Sequence, residues 1–234
     1  MTLGLLTTTK ELIAHLKALR NDDNVAAMTR FRIATETAFG ISNPDLQRIA
    51  RQIGRNHARA LELWKTGLRD ARMVAIYTAE PEHMTRSQAA EWAADFNSWE
   101  IVDAAADLFT ELEQWQALVT QFAGDEREYV RRAAFAMIAG ACVHNKSEPD
   151  STFLDFLALI ERHATDPRNF VRKAVNWALR NIGKRNLHCH GPALDCAERL
   201  AAGDNKTERW IGREAVTELT SEKSLARLRK SATA

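Results

Sequence analysis

Two segments of the sequence repeat one another 41 residues apart, and this spacing restricts the possible folds more than any other feature. Residues 125–134 align with residues 166–175, and a weaker copy follows at residues 213–216 after another 41 positions. Each copy carries apolar residues at helical spacing. A period near 40 residues with this patterning is typical of HEAT-type repeats, in which pairs of helices stack into a solenoid. The sequence therefore predicts an all-α, curved α-solenoid of HEAT-like helical repeats.

The prolines are placed to separate helices. Pro44 and Pro167 follow Asn43 and Asp166, so we expect each pair to act as an N-cap and a first helical residue. The other three fall in polar or glycine-containing segments that we predict to be connections: Pro81, Pro149 and Pro192. No sustained alternation or hairpin signal is present. We predict about a dozen helices from residue 8 to residue 230, forming a single repeat domain over residues 1–234, with a C-terminal end that could fray from Arg227 onward.

Composition indicates a soluble protein. Of the 234 residues, 45% are hydrophobic, which is ample for a core, and the net charge is only +1. The charge is uneven: residues 1–120 have a net charge of −3 and residues 121–234 of +4. Such a local excess permits contact with phosphates despite the near-neutral total. An odd number of cysteines (Cys142, Cys189 and Cys196), no signal peptide and no apolar run long enough for a bilayer predict a reduced, cytoplasmic setting.

The second repeat copy presents two stripes when its side chains are placed at 100° per residue. The apolar stripe comprises Val171, Val175, Ala178, Leu179 and Ile182. The opposite stripe, which we call the basic stripe, comprises Lys173, Trp177, Arg180 and Lys184. A tryptophan among three cations is typical of a surface that binds nucleic acid. The alternative is that Trp177 packs against a neighbouring helix while the cations are solvated.

A second group of residues lies upstream. Trp99 and Asp103 are four residues apart and share a helix face away from the apolar residues around them. In the first repeat copy, Arg132 lies opposite the apolar stripe of its helix, at the position equivalent to Lys173, so we expect both to line one surface. Asp103 alone would be interpreted as a solvated acid. Together with Trp177 and the basic residues, Asp103 indicates a catalytic site.

At these residues the sequence resembles the AlkD-type DNA alkylation repair glycosylases. That family has an aromatic residue four positions before a catalytic aspartate, as Trp99 and Asp103 stand here. Its aromatic-x-x-Arg-Ala-Ala motif matches residues 129–134, and its Lys-Ala-x-x-Trp-x-x-Arg motif matches residues 173–180. The approach to an early helix at residues 39–44 is also similar. The resemblance covers roughly residues 28 to 216, and its four motifs keep their order and spacing.

The resemblance implies a concave, basic face that binds duplex DNA. It also implies that the protein acts as a monomer and needs no cofactor and no metal. Trp99, Asp103 and Trp177 would surround the sugar of the damaged nucleotide, and Arg132 would support the site. The predicted DNA-binding residues are Lys173, Arg180, Lys184, Arg213, Arg131 and Phe31. Two residues depart from the family pattern: Ser98 replaces a frequent aromatic residue, and Phe31 replaces an expected phenol. The family's substrates are purines alkylated at N3 or N7, and no deep recognition pocket is required.

These residue types suit that chemistry. A cationic alkylpurine already leaves readily, so an ionised Asp103 needs only to stabilise the oxocarbenium-like sugar and to place water. The faces of Trp99 and Trp177 would attract the developing positive charge, by roughly 0.5–2 kcal/mol each when desolvated. The sequence predicts a monofunctional glycosylase of base excision repair. The alternatives are a DNA-binding relative without activity and a scaffold for another protein.

Two further groups carry weaker signals. His188, Cys189, His190 and Cys196 lack the paired spacing of a zinc site, so we expect a loop with a buried thiol. The other tryptophans, which we expect in core or inter-repeat packing, are Trp64, Trp92, Trp115 and Trp210.

Overall fold

The computed structural model describes residues 3–232, with side chains described up to Lys230. Within them the chain forms fourteen α-helices, one 3₁₀ helix at Pro81–His83, and no strand. The α-helices are α1 Thr9–Ala18, α2 Asp22–Arg30, α3 Asn43–Ile53, α4 His57–Lys65, α5 Arg69–Thr78, α6 Arg86–Ala94, α7 Trp99–Phe109, α8 Trp115–Ala123, α9 Glu128–His144, α10 Asp150–His163, α11 Asn169–Gly183, α12 Leu187–Ala202, α13 Lys206–Leu219 and α14 Glu222–Ala232. The all-α prediction is confirmed. In the part of the chain that is described, no helix is both long and apolar enough to cross a bilayer.

The chain divides into two compact units, Met1–Trp115 and Gln116–Ala234. The first unit buries apolar side chains of α1, α3, α4, α5 and α7, and the second buries those of α8 to α13. Each unit therefore has its own hydrophobic core. A single repeat domain over residues 1–234 stays a prediction, and residues 1–2 and 233–234 at its ends lie outside the described residues.

The helix ends differ from the predicted ones at three prolines. Ser42, not Asn43, caps α3, and Pro44 lies in its first turn. Pro167 precedes α11, whose N-cap is Arg168. Pro192 lies inside α12, so the prediction of a connection there was wrong. A proline can be accommodated there because it lacks only one backbone hydrogen-bond donor. Pro192 lies on the exposed face of α12, and the opposite face of the helix is buried.

Residues 188–190 are therefore helical and not a loop, because α12 begins at Leu187 and continues through Pro192. The predicted buried thiol is confirmed. All three cysteines are free and buried. Burial raises the pKa of Cys142 and of Cys196 to about 12 and that of Cys189 to about 11, so these thiols stay protonated at neutral pH.

The 41-residue repeat is visible in the second unit as two identical clasps, each made by an Asp-x-Arg segment ahead of a repeat helix. Asp125 accepts hydrogen bonds from the backbone N–H of Arg127 (2.8 Å) and from its Nε (2.9 Å). Asp166 accepts from the backbone N–H of Arg168 (3.1 Å) and from its Nε (2.9 Å). The carboxylate thereby satisfies a backbone donor at the start of a helix, as an N-cap residue would. Each clasp sets where its helix begins.

Arg131 joins the two clasps. Its Nε donates to the backbone oxygen of Asp125 (3.0 Å), and its Nη1 donates to the Asp166 carboxylate (2.9 Å). Burial opposes ionisation of Asp166, but the hydrogen bonds from Arg168 and Arg131 outweigh it and lower the pKa of Asp166 from 3.8 to about 2. Asp166 is thus an ionised carboxylate that holds two successive repeats together.

Replacing Asp166 with asparagine is expected to lower the free energy of unfolding at pH 7 by about 2 kcal/mol. The reason is that the pKa of Asp166 is lower in the folded than in the unfolded protein, and this difference stabilises the folded state at any pH above the unfolded-state pKa. The loss should shrink as pH falls from about 5 to about 2, where the parent carboxylate also becomes protonated. Urea unfolding at several pH values measures this. Asp125→Asn is the matched control. It should lower the free energy of unfolding less, since the Asp125 side chain is 24% exposed and that of Asp166 only 6%. An equal loss in both variants, or a loss independent of pH, would contradict the prediction.

Candidate active site

The first two turns of α7 carry the predicted catalytic pair. Trp99 begins the helix and Asp103 follows one turn later, and both side chains are half-buried. The apolar residues of α7 that the sequence places on the opposite face are buried: Ile101, Val102, Ala105, Leu108 and Phe109. The predicted division of this helix into two faces is therefore confirmed. An indole and a carboxylate lie together at the edge of the first unit's core.

The Trp99 ring is held by the end of α2. Its Nε1–H donates to the backbone oxygen of Phe31 at 2.9 Å. Phe31 is the C-cap of α2, and its own ring is 65% exposed. Because the polar edge of the indole is already engaged, Trp99 can offer a ligand only its ring faces. Phe31, predicted to bind DNA, thus contacts Trp99 through its backbone oxygen and leaves its own ring exposed.

Ser98 is fully buried at the N-cap of α7, although its hydroxyl caps no backbone N–H and has no hydrogen-bond partner in the part of the chain that the structure describes. A residue at this position points into the protein. The departure from the family pattern at Ser98 therefore changes the interior beneath the candidate site and not its exposed surface.

Sequence reasoning missed a buried network of charges that positions the start of α7. Arg69 donates to both carboxylate oxygens of Glu100, from Nε at 2.7 Å and from Nη2 at 2.6 Å. Its Nη1 also reaches the Asp70 carboxylate at 3.1 Å. The side chains of Arg69 and Asp70 are 4% and 0% exposed. Since Glu100 directly follows Trp99, this bidentate pair fixes the first turn of α7 to α5.

The same network holds the loop that precedes α3. Asp70 accepts hydrogen bonds from the backbone N–H of Phe39 (2.6 Å) and of Ile41 (3.1 Å), and Arg69 donates to the backbone oxygen of Ile41 (3.1 Å). Between them, Gly40 has a φ of 78°, and a Cβ there would lie 2.3 Å from the backbone oxygen of Asn21. Only glycine fits this position. The motif at residues 39–44 is thus tied through Arg69 to the helix that carries Trp99 and Asp103.

In the second unit, α11 shows the two predicted stripes. The five residues of the apolar stripe are fully buried. In the basic stripe, Lys173 is exposed and Trp177 is half-buried. Lys173, and Arg213 on α13, form no ion pair within the described residues. They are the predicted phosphate contacts whose charges are not already compensated.

The other two members of the basic stripe are paired. Arg180 Nη1 donates to Glu218 Oε2, and Lys184 Nζ donates to Glu218 Oε1 at 2.5 Å. Burial opposes ionisation of Glu218, but the hydrogen bond from Lys184 and the charge of Arg180 lower its pKa. Sequence reasoning gave no sign of this partner, which lies 34 residues or more away on α13.

Arg131 and Arg132 are also engaged inside the protein. Arg131 belongs to the clasps described above. Arg132 is only 7% exposed, because α9 is buried on nearly all sides. Its Nη1 donates to the backbone oxygen of Phe170 at 3.0 Å. Arg132 therefore differs in exposure from Lys173, its repeat equivalent, and a common surface for the two stays a prediction.

The remaining tryptophans pack as the sequence predicts, and only Trp210 among them is not fully buried. Trp64 and Trp92 are buried and stack at 4.2 Å, and Trp115 is buried. Trp210 is half-buried, with the Arg172 guanidinium 4.9 Å above its ring, and so packs between α11 and α13. No three His, Cys, Asp or Glu side chains among the described residues are arranged as metal ligands.

The structure thus brings Trp99 together with Phe31 in the first unit, and Arg180 together with Lys184 in the second. The convergence of Trp99 and Asp103 with Trp177, Arg132 and Lys173 stays a prediction.

Stacked helices with a 41-residue period define a helical-repeat protein of the HEAT-like class. The chain belongs to the DNA alkylation repair enzyme family, whose model matches residues 12–219.

A solved structure described as "a new family of proteins related to the HEAT-like repeat DNA glycosylases with affinity for branched DNA structures" has a TM-score of 0.76 and 20% identity, covering 95% of this chain and 96% of its own. It shows the same fold. Two designed armadillo repeat proteins are more distant. One has a TM-score of 0.36 and 15% identity, and the match covers 76% of this chain and 93% of that protein. The other, in complex with a (KR)4 peptide, has a TM-score of 0.38 and 14% identity, and the match covers 95% of this chain and 82% of that protein. No curated protein matches the sequence significantly.

Proposed function

We propose that this protein is a monofunctional DNA glycosylase that hydrolyses the N-glycosidic bond of positively charged N3- or N7-alkylated purines in duplex DNA. The observation that carries the proposal is the pairing of Trp99 and Asp103 on one face of α7, with the indole edge held by Phe31, in a member of the DNA alkylation repair enzyme family. The product would be an abasic site.

Asp103 would act on the sugar. As the glycosidic bond of a cationic purine breaks, the base leaves as a neutral molecule and positive charge develops on C1′ and the ring oxygen. A carboxylate beside that charge stabilises the transition state more than the ground state, and it can orient the water that attacks C1′. The water loses a proton to solvent or to the carboxylate, and no other group has to donate one.

Trp99 would contribute its ring face. The engaged Nε1–H prevents the indole from turning its polar edge to the sugar, so the electron-rich face is the part that a ligand meets. Trp177 would supply a second ring, and Arg132 would support the site from the interior. Attraction between a ring face and the cationic sugar is weaker than that of a carboxylate.

The direct test is release of base from methylated duplex DNA by the parent protein in the presence of EDTA, followed by chromatography. We expect release of N3-methyladenine or N7-methylguanine. Duplex binding without release of either base would make the protein a DNA binder without glycosylase activity.

Neutral lesions give a second prediction. O6-methylguanine should be released far more slowly than a cationic alkylpurine, because Asp103 as a carboxylate cannot protonate the leaving base. The same assay with duplexes that contain one lesion of each kind measures this. Equal rates for the neutral and cationic lesions would exclude the proposed mechanism.

Salt dependence tests the DNA-binding residues. Lys173→Gln and Arg213→Gln should each reduce the slope of log affinity against log salt by about 0.9, because each removes one phosphate contact. Lys65→Gln, which neutralises an exposed cation on α4, is the control and should leave the slope unchanged. Fluorescence anisotropy with undamaged duplex from 50 to about 200 mM salt is sufficient. A slope equal to that of the parent in both test variants would remove these residues from the interface.

A further inference from the structure

Glu218 occupies the place of an anion in the basic stripe. One carboxylate oxygen accepts from Arg180 and the other from Lys184. The three side chains are between 25% and 30% exposed, so they lie at the surface and can be reached by a ligand. We call this arrangement the Glu218 fork. Its two cations follow Lys173 and Trp177 along α11.

A phosphodiester would fit the same pair of cations. Carboxylates and phosphates both present two oxygens that can accept from an arginine and a lysine at once. The Nε–H of Arg180 is buried, so the fork holds its anion through the Nη1 of Arg180 and the Nζ of Lys184. The two non-bridging oxygens of a backbone phosphate match these two donors as the two oxygens of Glu218 do.

The fork divides the basic stripe into two halves of different charge. Lys173 and, on α13, Arg213 are exposed and unpaired within residues 3–232. The Arg180–Lys184 half carries a net charge of +1 instead of +2 because Glu218 compensates one cation. The second half can therefore make its full contribution to DNA binding only when Glu218 is displaced.

We infer that Glu218 is a built-in competitor for a DNA phosphate at Arg180 and Lys184, and that it restrains the affinity of the protein for DNA. The inference rests on the proposed function, since the ligand is a backbone phosphate of duplex DNA. In the free protein the carboxylate neutralises the fork, and in the complex a phosphate takes its place. Glu218 thereby weakens binding to every sequence, damaged or not.

The test compares Glu218→Gln with Glu214→Gln, using an undamaged duplex and fluorescence anisotropy. Glu214 lies one turn earlier on α13, is exposed, and has no partner within the described residues, so its replacement changes the net charge equally without opening the fork. Glu218→Gln should bind DNA on the order of 10-fold more tightly at low salt and steepen the log–log salt slope by about 0.9. Glu214→Gln should change affinity by less than about 2-fold, because an exposed carboxylate that pairs with no cation releases no phosphate-binding group when it is neutralised.

A second comparison separates the fork from a general charge effect. In a protein that already carries Arg180→Gln and Lys184→Gln, Glu218→Gln should have no larger effect than Glu214→Gln, because no cations remain to be released. Thermal melting checks that each variant is folded. Equal effects of Glu218→Gln and Glu214→Gln in the parent background would overturn the inference.

The outcomes also separate this inference from the proposed chemistry. Tighter binding by Glu218→Gln in a protein that releases no base would support the fork and contradict the glycosylase. Excision by the parent with no gain from Glu218→Gln would support the glycosylase and contradict the fork. Absence of duplex binding by the parent and by Glu218→Gln at low salt would contradict both.

Discussion

Asp103→Asn is expected to lower the single-turnover rate of excision of a cationic alkylpurine by on the order of 100-fold or more, while DNA affinity stays close to that of the parent. The reason is that the carboxylate acts on charge that exists only in the transition state, and removal of one preorganised electrostatic group has an effect of this size. Single-turnover kinetics on a duplex with one N7-methylguanine measures the chemical step separately from product release.

Asp107→Asn is the matched control for this variant, because Asp107 lies one turn further along α7 and is exposed. It should excise at nearly the parental rate. Trp99→Ala and Trp177→Ala should each lower the rate less than Asp103→Asn, since a ring face is the weaker partner of a cation. If folded Asp103→Asn excises at the parental rate, the carboxylate has no catalytic role and the proposed mechanism is wrong.

Arg69→Met should lower the free energy of unfolding by about 3–5 kcal/mol, the range for removing one partner of a buried ion pair. The substitution leaves the carboxylates of Asp70 and Glu100 without their guanidinium in an interior where Arg69 is 4% exposed. Urea unfolding followed by circular dichroism provides the measurement. Arg48→Met is the control, because its partner Asp45 is at the surface and such pairs contribute about 0–1 kcal/mol.

A compensating variant makes this prediction sharper. Arg69→Met combined with Asp70→Asn and Glu100→Gln should recover part of the lost stability, because the uncompensated negative charges are then gone. If Arg69→Met alone stays within about 1 kcal/mol of the parent, the network does not contribute as a buried ion pair should.

The sequence was sufficient for the features that depend on a single helix. The 41-residue spacing of residues 125–134 and 166–175 equals the spacing between the starts of α9 and α11, and the faces of α7 and α11 follow from helical periodicity. Burial of an apolar stripe depends only on positions within its own helix. The same reasoning separated Trp99 and Asp103 from the core side of α7.

Features that depend on which helices pack together could not be obtained in this way. Glu218 is remote in sequence from Arg180 and Lys184, and no pattern within α11 indicates it. Arg132 seemed exposed because its own helix has an apolar stripe opposite, but α9 is covered on that side as well. Pro192 was misplaced because a proline early in a helix has nearly the same signature as one in a connection.

One signal in the sequence could have revealed the Arg69 network. Arg69 and Asp70 are adjacent charges shortly before the apolar run at residues 73–76. Charged residues on a helix that is largely buried need partners. Neither the identity of Glu100 nor the bond to the loop at residues 39–41 could be inferred, since both require the packing of α5 against α7 and α3.

The clasps at Asp125 and Asp166 also bear on how such a chain can grow by duplication. A copied segment that begins at either aspartate carries its own carboxylate and arginine, and the arginine equivalent to Arg131 reaches the carboxylate of the next copy. A further copy inserted between residues 165 and 166 would therefore find ready-made partners on both sides. Thr207 stands where a third aspartate would be 41 residues after Asp166, and Arg172 turns to Trp210 instead. An inserted copy would thus be held by a clasp on each side, whereas α13 is joined to α11 through Arg172 and Trp210, with a threonine at position 207 in place of the carboxylate.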